Sequence, residues 1–249
     1  MLAVFFTHEG PTRPENQDAL LLGGEVYTRT DAPMCLEFDD IGVFVVADGV
    51  GGYQGGEIAS QTVLRSFASY DINDDEEPLL AVRRLCREAS EEIAAMAEDD
   101  SDLVNMSSTI AGVVIGLNNI AVFNCGDCRV YRFIKPYLTK LTHDHSAVQL
   151  LFDNGLIEES EMRTHPRKNV IMSGVGRNDG ETDIFYRRLP FITPLKLFLC
   201  SDGVWESLDL ERLEEILCLP TIQAGEILAQ ELFDQGAQDN VSFIILDIA

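Results

Sequence analysis

The chain has 249 residues, enough for one large domain with a substantial core. Hydrophobic residues make up 46% and charged residues 24%, as in ordinary globular proteins, but 18 basic against 42 acidic residues give a formal charge of −24. Such a surface repels nucleic-acid phosphates and anionic membranes, and it suits cations or basic partners. In chain order, runs rich in Val, Ile and Phe predict strands at 3–7, 18–23 and 42–47. Residues 57–70 place Ala59, Val63, Phe67 and Tyr70 on one helical stripe, and residues 78–98 do the same with Leu79, Val82, Leu85, Ala89, Ile93 and Met96. Asp74, Asp75, Glu76 and Glu77 precede Pro78, which puts negative charge at the start of that second helix and proline in its first turn. Strands follow at 109–117, 120–125 and 129–134, with hairpins expected at 116–119 and at 126–127. Two short helices, about 146–154 and 158–163, lead into 173–180, where Gly174, Gly176 and Gly180 suggest a mobile stretch. The chain continues with strands at 183–189 and 195–200, helices at about 209–217 and 222–234, and a strand at 241–248.

Paired helices and hairpin-joined strands do not follow the strict alternation of a parallel α/β sheet. They predict antiparallel sheets with helix pairs packed outside. No segment approaches the ~18 apolar residues of a membrane span. The opening MLAVFF lacks the basic start and cleavage site of a signal peptide, so a cytoplasmic protein is expected. Cys125 and Cys128 form a C-x-x-C with no second pair to complete a zinc site, and most of the six cysteines sit in apolar runs where thiols pack as small hydrophobes.

Four acids stand at the ends of strands beside glycine or asparagine: Asp48-Gly49, Gly126-Asp127, Asp202-Gly203 and Asp239-Asn240. Taken singly, each reads as a turn residue. Taken together, carboxylates held at rigid strand ends would repel each other unless a cation sat between them, and oxygen ligands suit Mg²⁺ or Mn²⁺.

At these residues the chain resembles a known family. The segment RPENQD with Gly10 upstream, then VVADGVGGYQGGEIAS, SSTI, CGDCRVYR, LTHDHSAVQLLFDNGLI, LFLCSDGVWESL and QDNVSFIIL are similar, in order and spacing, to the successive motifs of the metal-dependent protein phosphatases of the 2C type. The likeness runs from about Gly10 to Leu246, and Val50, where animal members carry histidine, places it nearer the bacterial branch.

The resemblance implies an α+β fold, a four-layer α-β-β-α sandwich, with 1–249 as a single catalytic domain and a flap insert at about 144–180. It implies two Mn²⁺ or Mg²⁺ ions, and a third, weaker one in bacterial members. By that likeness Asp48 bridges both ions, the Gly49 carbonyl binds one, Asp202 and Asp239 complete the first site, and Asp127 helps hold the third. Arg13 matches an arginine that clamps substrate phosphate, Asp18 an acid that orients water, and Asn240 a structural asparagine. Gln17 stands where some members have glutamate, and Val50 leaves the leaving-group proton to water or another group. Phosphoserine and phosphothreonine proteins, opposed to a bacterial Ser/Thr kinase, are the implied substrates of a monomer that binds neither nucleic acid nor membrane. A regulatory or binding module on the same fold is the alternative. An aspartyl-phosphate mechanism with Asp48 as nucleophile would want a second acid two residues on, where this chain has Val50.

Overall fold

Twelve strands and seven helices form in the computed structural model, which describes residues 1–39, 41–51, 55–71, 77–100, 103–177 and 182–249. The strands are β1 (Leu2–His8), β2 (Asp18–Leu22), β3 (Glu25–Tyr27), β4 (Met34–Glu37), β5 (Gly42–Val50), β6 (Ser107–Ile115), β7 (Asn119–Cys125), β8 (Arg129–Ile134), β9 (Tyr137–Lys140), β10 (Phe185–Pro190), β11 (Leu195–Cys200) and β12 (Val241–Ile248). The helices are α1 (Gly55–Ala68), α2 (Pro78–Asp99), α3 (Ala147–Asp153), α4 (Glu159–Met162), α5 (Asp202–Ser207), α6 (Leu210–Leu217) and α7 (Thr221–Asp234).

The strands are apolar on both faces because both faces are covered. One sheet runs β4-β1-β12-β11-β8-β9 and the other β10-β7-β6-β5-β2-β3. Every neighbouring pair is antiparallel. Residues of alternate parity separate the two sides of each strand. Phe44 and Val46 of β5 meet Leu20 and Leu22 of β2 and Ile244 and Leu246 of β12 in the layer between the sheets. Val45 and Ala47 face the other way, onto Ala59, Val63 and Phe67 of α1 and Val82, Leu85, Ala89 and Ile93 of α2. On the opposite flank, Phe243 and Ile245 of β12 pack with Leu213 and Ile216 of α6 and Leu228 and Leu232 of α7. Three apolar layers between four structural ones make the expected α-β-β-α sandwich.

Helix α2 begins where its sequence announces it: Glu77 caps it, accepting from the backbone N–H groups of Leu79 and Leu80, with Pro78 in the first turn. Asp74, Asp75, Glu76 and Gly180 lie outside the described residues. Three expectations are corrected. Strand β5 does not stop before Asp48 but continues to Val50, paired through Asp48↔Thr109, Gly49↔Ser108 and Val50↔Ser107. Residues 126–127 do not close a hairpin, because β7 and β8 belong to different sheets; Gly126, at φ 102°, turns the chain from one sheet to the other. The stretch around Gly174 and Gly176 is pinned rather than loose. Val175 is fully buried and bridged to Ser108, and Gly176 N–H donates to Ser90 Oγ at 3.0 Å.

Candidate metal centre

The acids gather at one end of the layer between the sheets, where the apolar side chains of the inward parity give way to polar ones. Asp18 and Asp48 are direct partners across β2 and β5, on the same face as Leu20, Leu22, Phe44 and Val46. From the other sheet come Ser201, just after β11, and Ser242 of β12. Ser201 Oγ donates to Asp18 Oδ2 at 2.7 Å, and Ser242 N–H donates to Ser201 Oγ at 3.2 Å. Thr7 and Ser242 exchange a hydrogen bond at 2.8 Å below them. A layer of hydroxyls thus separates the hydrocarbon core from the carboxylates.

Asp48, Gly49, Asp127, Asp202 and Asp239 line one cleft of about 830 Å³, together with Arg13, Gln17, Val50 and Asn240. Each is positioned by backbone. Asp48 O accepts from Ser108 Oγ at 3.0 Å, and Gly49 N–H donates to Gln17 O at 3.1 Å. Asp127 sits after the Gly126 turn, its carbonyl taking the indole N–H of Trp205 at 3.1 Å. Asp202 opens α5, and Asp239 is fixed by its own Oδ1, which accepts from Asn240 N–H at 2.9 Å. Asn240 in turn stitches β12 to the loop before β2: its Oδ1 accepts from Gln17 N–H, and its Nδ2 donates to Glu9 O and Glu15 O.

The electrostatics of the cleft are one-sided. Burial, then the Asp202, Asp18, Asp127 and Asp239 charges, hold Asp48 well above the usual carboxylate range. Burial and neighbouring acids do the same to Asp202. Burial pushes Asp18 and Asp127 each up to about 7, Asp18 against the help of Ser201 and Asp127 with added repulsion from Asp144. Two like charges about 4 Å apart at an effective dielectric of about 20 repel by about 4 kcal/mol, so such a group keeps protons or takes up cations.

The donors fit hard divalent cations. Asp127 Oδ1 is buried without a hydrogen-bond partner, and every other donor is an oxygen. Glycine at 49 and at 56 keeps side chains away from the Gly49 carbonyl where β5 meets α1. A Cβ on Gly56 would lie 2.6 Å from Gly49 O, and one on Gly49 would lie 1.9 Å from Gly56 O. Among the described residues no three His, Cys, Asp or Glu side chains close a metal site by themselves. The acids ring the cleft, and Asp239 is turned to Arg13, whose Nη2 donates to it at 2.6 Å.

Arg13, expected at substrate phosphate, therefore holds an expected metal ligand. His145 serves structure: its Nδ1 accepts from Gly126 N–H at 3.0 Å, and burial lowers its pKa. Cys125 and Cys128 are both buried but face different layers, Cys125 toward α1 and α2 and Cys128 between the sheets, so they form no shared site. Asn169 and Ile171 also line the cleft. Nothing in their sequence context points to that position. Trp205, by contrast, lies within the LFLCSDGVWESL segment.

The sequence model of the protein phosphatase 2C family matches residues 28–231. The serine/threonine phosphatase Stp of Listeria monocytogenes is 28% identical over 254 residues, covering 99% of this chain and 96% of that protein. The crystal structure of the serine/threonine phosphatase PstP of Mycobacterium tuberculosis superposes with a TM-score of 0.83 at 26% identity, over 100% of this chain and 99% of that one. A PstP catalytic domain in complex with two manganese ions superposes with a TM-score of 0.81 at 25% identity, covering both chains fully. With a family match across most of its length and relatives that cover nearly all of it, this chain belongs to the protein phosphatase 2C family.

Proposed function

We propose that this protein is a metal-dependent phosphatase that hydrolyses phosphoserine and phosphothreonine in proteins, as one catalytic domain in which 144–180 forms a flap. The observation that carries this reading is the ring of four aspartates around one cleft, more negative charge than Arg13 can balance, with Asp48 and Asp202 held well above the usual carboxylate range by burial and mutual repulsion. Asp48, the Gly49 carbonyl, Asp202 and Asp239 would hold two divalent cations, Mn²⁺ or Mg²⁺, and Asp127 a third. Bound there, such ions would supply activation of water and neutralisation of the charge of a phosphate monoester in an in-line displacement.

The chain's own groups do the rest. Arg13 offers a planar fork to two phosphoryl oxygens. Asp18, fixed by Ser201 and paired in register with Asp48, would orient water held beside Asp48. Val50 lines the cleft and is 41% exposed, but it carries no proton, so the leaving group draws its proton from water or from another cleft residue. Cys200 and Ser201 are fully buried and do not act as nucleophiles. A monomer working in the cytoplasm against a bacterial Ser/Thr kinase completes the proposal. It agrees with there being, among the described residues, no helix long and apolar enough to cross a membrane.

Hydrolysis of an aryl phosphate and of a phosphothreonine peptide, with and without Mn²⁺, tests the reading in wild type and Asp202→Asn. Turnover that needs Mn²⁺ and falls at least ~100-fold in the variant is expected. A trapped phosphoenzyme, or equal turnover in EDTA, would overturn it.

A further inference from the structure

The loop that carries Arg13 is fastened to the turn that carries Asp239. Thr12 Oγ1 donates to Ala237 O at 2.9 Å, Asn240 Nδ2 to Glu15 O at 2.8 Å, and Gln17 N–H to Asn240 Oδ1 at 2.9 Å. Gly10, at φ 75°, lets the two backbones approach so closely that a Cβ there would stand 2.7 Å from Asp239 O. On this platform the guanidinium spans both residues of the turn: Nη2 donates to Asp239 Oδ2 at 2.6 Å and Nε to Gln238 O at 3.1 Å. The Arg13 and Asp239 side chains are 51% and 40% exposed, so Arg13 can leave by rotating its own χ angles, with no core residue displaced.

We propose that Arg13 is a place-holding cation on Asp239, released to capture phosphate only when a divalent ion takes that carboxylate, so that metal loading gates phosphate binding. This rests on the metal-centre reading above. Its logic is competition followed by coupling. The fork occupies the Asp239 oxygen that faces it, so ion and guanidinium compete for one group. Once the carboxylate is shared with a cation, Arg13 faces a like charge across the turn, and its best remaining partner in the cleft is an anion. By linkage, whatever the ion gains from phosphate, phosphate gains from the ion. The two groups are on one rigid platform, so the exchange needs no movement of loop or sheet.

Isothermal titration with Mn²⁺ alone, then with inorganic phosphate onto the Mn²⁺-loaded protein, tests this in wild type, Arg13→Ala and Arg13→Lys. An exposed ion pair is worth up to ~1 kcal/mol, so Arg13→Ala should bind Mn²⁺ about 2–5-fold more tightly while losing affinity for phosphate. Arg13→Lys keeps the charge but loses the fork. It should bind Mn²⁺ more tightly than wild type, because the competitor is weakened at constant charge. Equal Mn²⁺ affinity in wild type and Arg13→Lys, with a gain only in Arg13→Ala, would assign the effect to long-range charge and overturn the gate. Unchanged affinity in all three would overturn it too. A wild type that binds no Mn²⁺ would remove the metal-centre reading itself, an outcome distinct from either.

Discussion

Gly49 is a residue whose missing Cβ does two jobs. Its neighbour Asp48 is held in register by β2 and β6, so the backbone at 49 has no freedom to shift away from α1. A methyl group there would stand 1.9 Å from Gly56 O and 2.8 Å from Gln17 O, contacts with backbone that no rotamer relieves. Gly49→Ala is therefore expected to cost at least ~2 kcal/mol by forcing strand and helix apart. The same shift moves the Gly49 carbonyl and the Asp48 carboxylate that the proposed ions need. Thermal unfolding and Mn²⁺ titration should fall together. A variant that loses stability yet binds Mn²⁺ as tightly as wild type would show that the Gly49 carbonyl is no ligand. The Asp48-Gly49 dipeptide was legible in the sequence as a special position. The reason for glycine was not, because Gly56 and Gln17 approach it only after folding.

Elements rather than residues decide what else could be read in advance. The strands buried on both faces are continuous apolar runs, and their positions follow from composition alone. Strands β3, β4 and β9 lie at sheet edges, are three or four residues long and bury only Leu138 among them, so they lack the pattern that marks the others. Helix α5 has six residues, too few to show a period. The turn at Gly126 misled because a short polar connection between two apolar runs looks the same whether it closes a hairpin or crosses between sheets. Further along the chain, β8, β9 and the segment that follows them are clamped together. Arg129 Nη2 donates to Asp144 Oδ2 at 2.6 Å, Lys140 Nζ to Asp144 Oδ1 at 3.2 Å, and the Arg129 guanidinium lies 3.5 Å from the centre of the Trp205 ring. Burial opposes the Asp144 charge, but Arg129 and Lys140 outweigh it and hold its pKa below the ordinary 3.8. A carboxyl with a depressed folded pKa stabilises above its unfolded value and loses that contribution as pH falls through the folded one. Asp144→Asn should therefore cost ~3–5 kcal/mol near neutrality, where it strands the buried Arg129, and progressively less below about pH 4. Denaturant unfolding of both proteins from pH 7 to 3 measures the difference. A gap that stays constant with pH would show that the Asp144 charge is not what the clamp uses.

The whole molecule carries a charge of −24, and its parts respond differently to cations. Most of the excess is solvated surface, where ordinary salt screens it over about 10 Å at 0.1 M. Asp18 and Asp127 are buried, and Asp48 and Asp202 are half-buried in the cleft, where salt screens them less than it screens the open surface. Their repulsion can be relieved by protons or by ions bound directly to oxygen. Stability should then have two separable ionic components. NaCl relieves the first gradually and without saturation at a defined stoichiometry. Mn²⁺ relieves the second by binding the folded state alone, worth ~2.7 kcal/mol per site at one hundred times its dissociation constant. For a chain of this length that corresponds to a rise of about 5–10 °C in Tm for each filled site. EDTA should reverse the Mn²⁺ increment and leave the NaCl increment intact, and the two should add when both are present. The carboxylates cannot be the principal store of ionic strain if Mn²⁺ raises Tm no more than NaCl of equal ionic strength. In Asp202→Asn, with one acid of the ring neutralised, the Mn²⁺ increment should shrink while the response to NaCl stays the same.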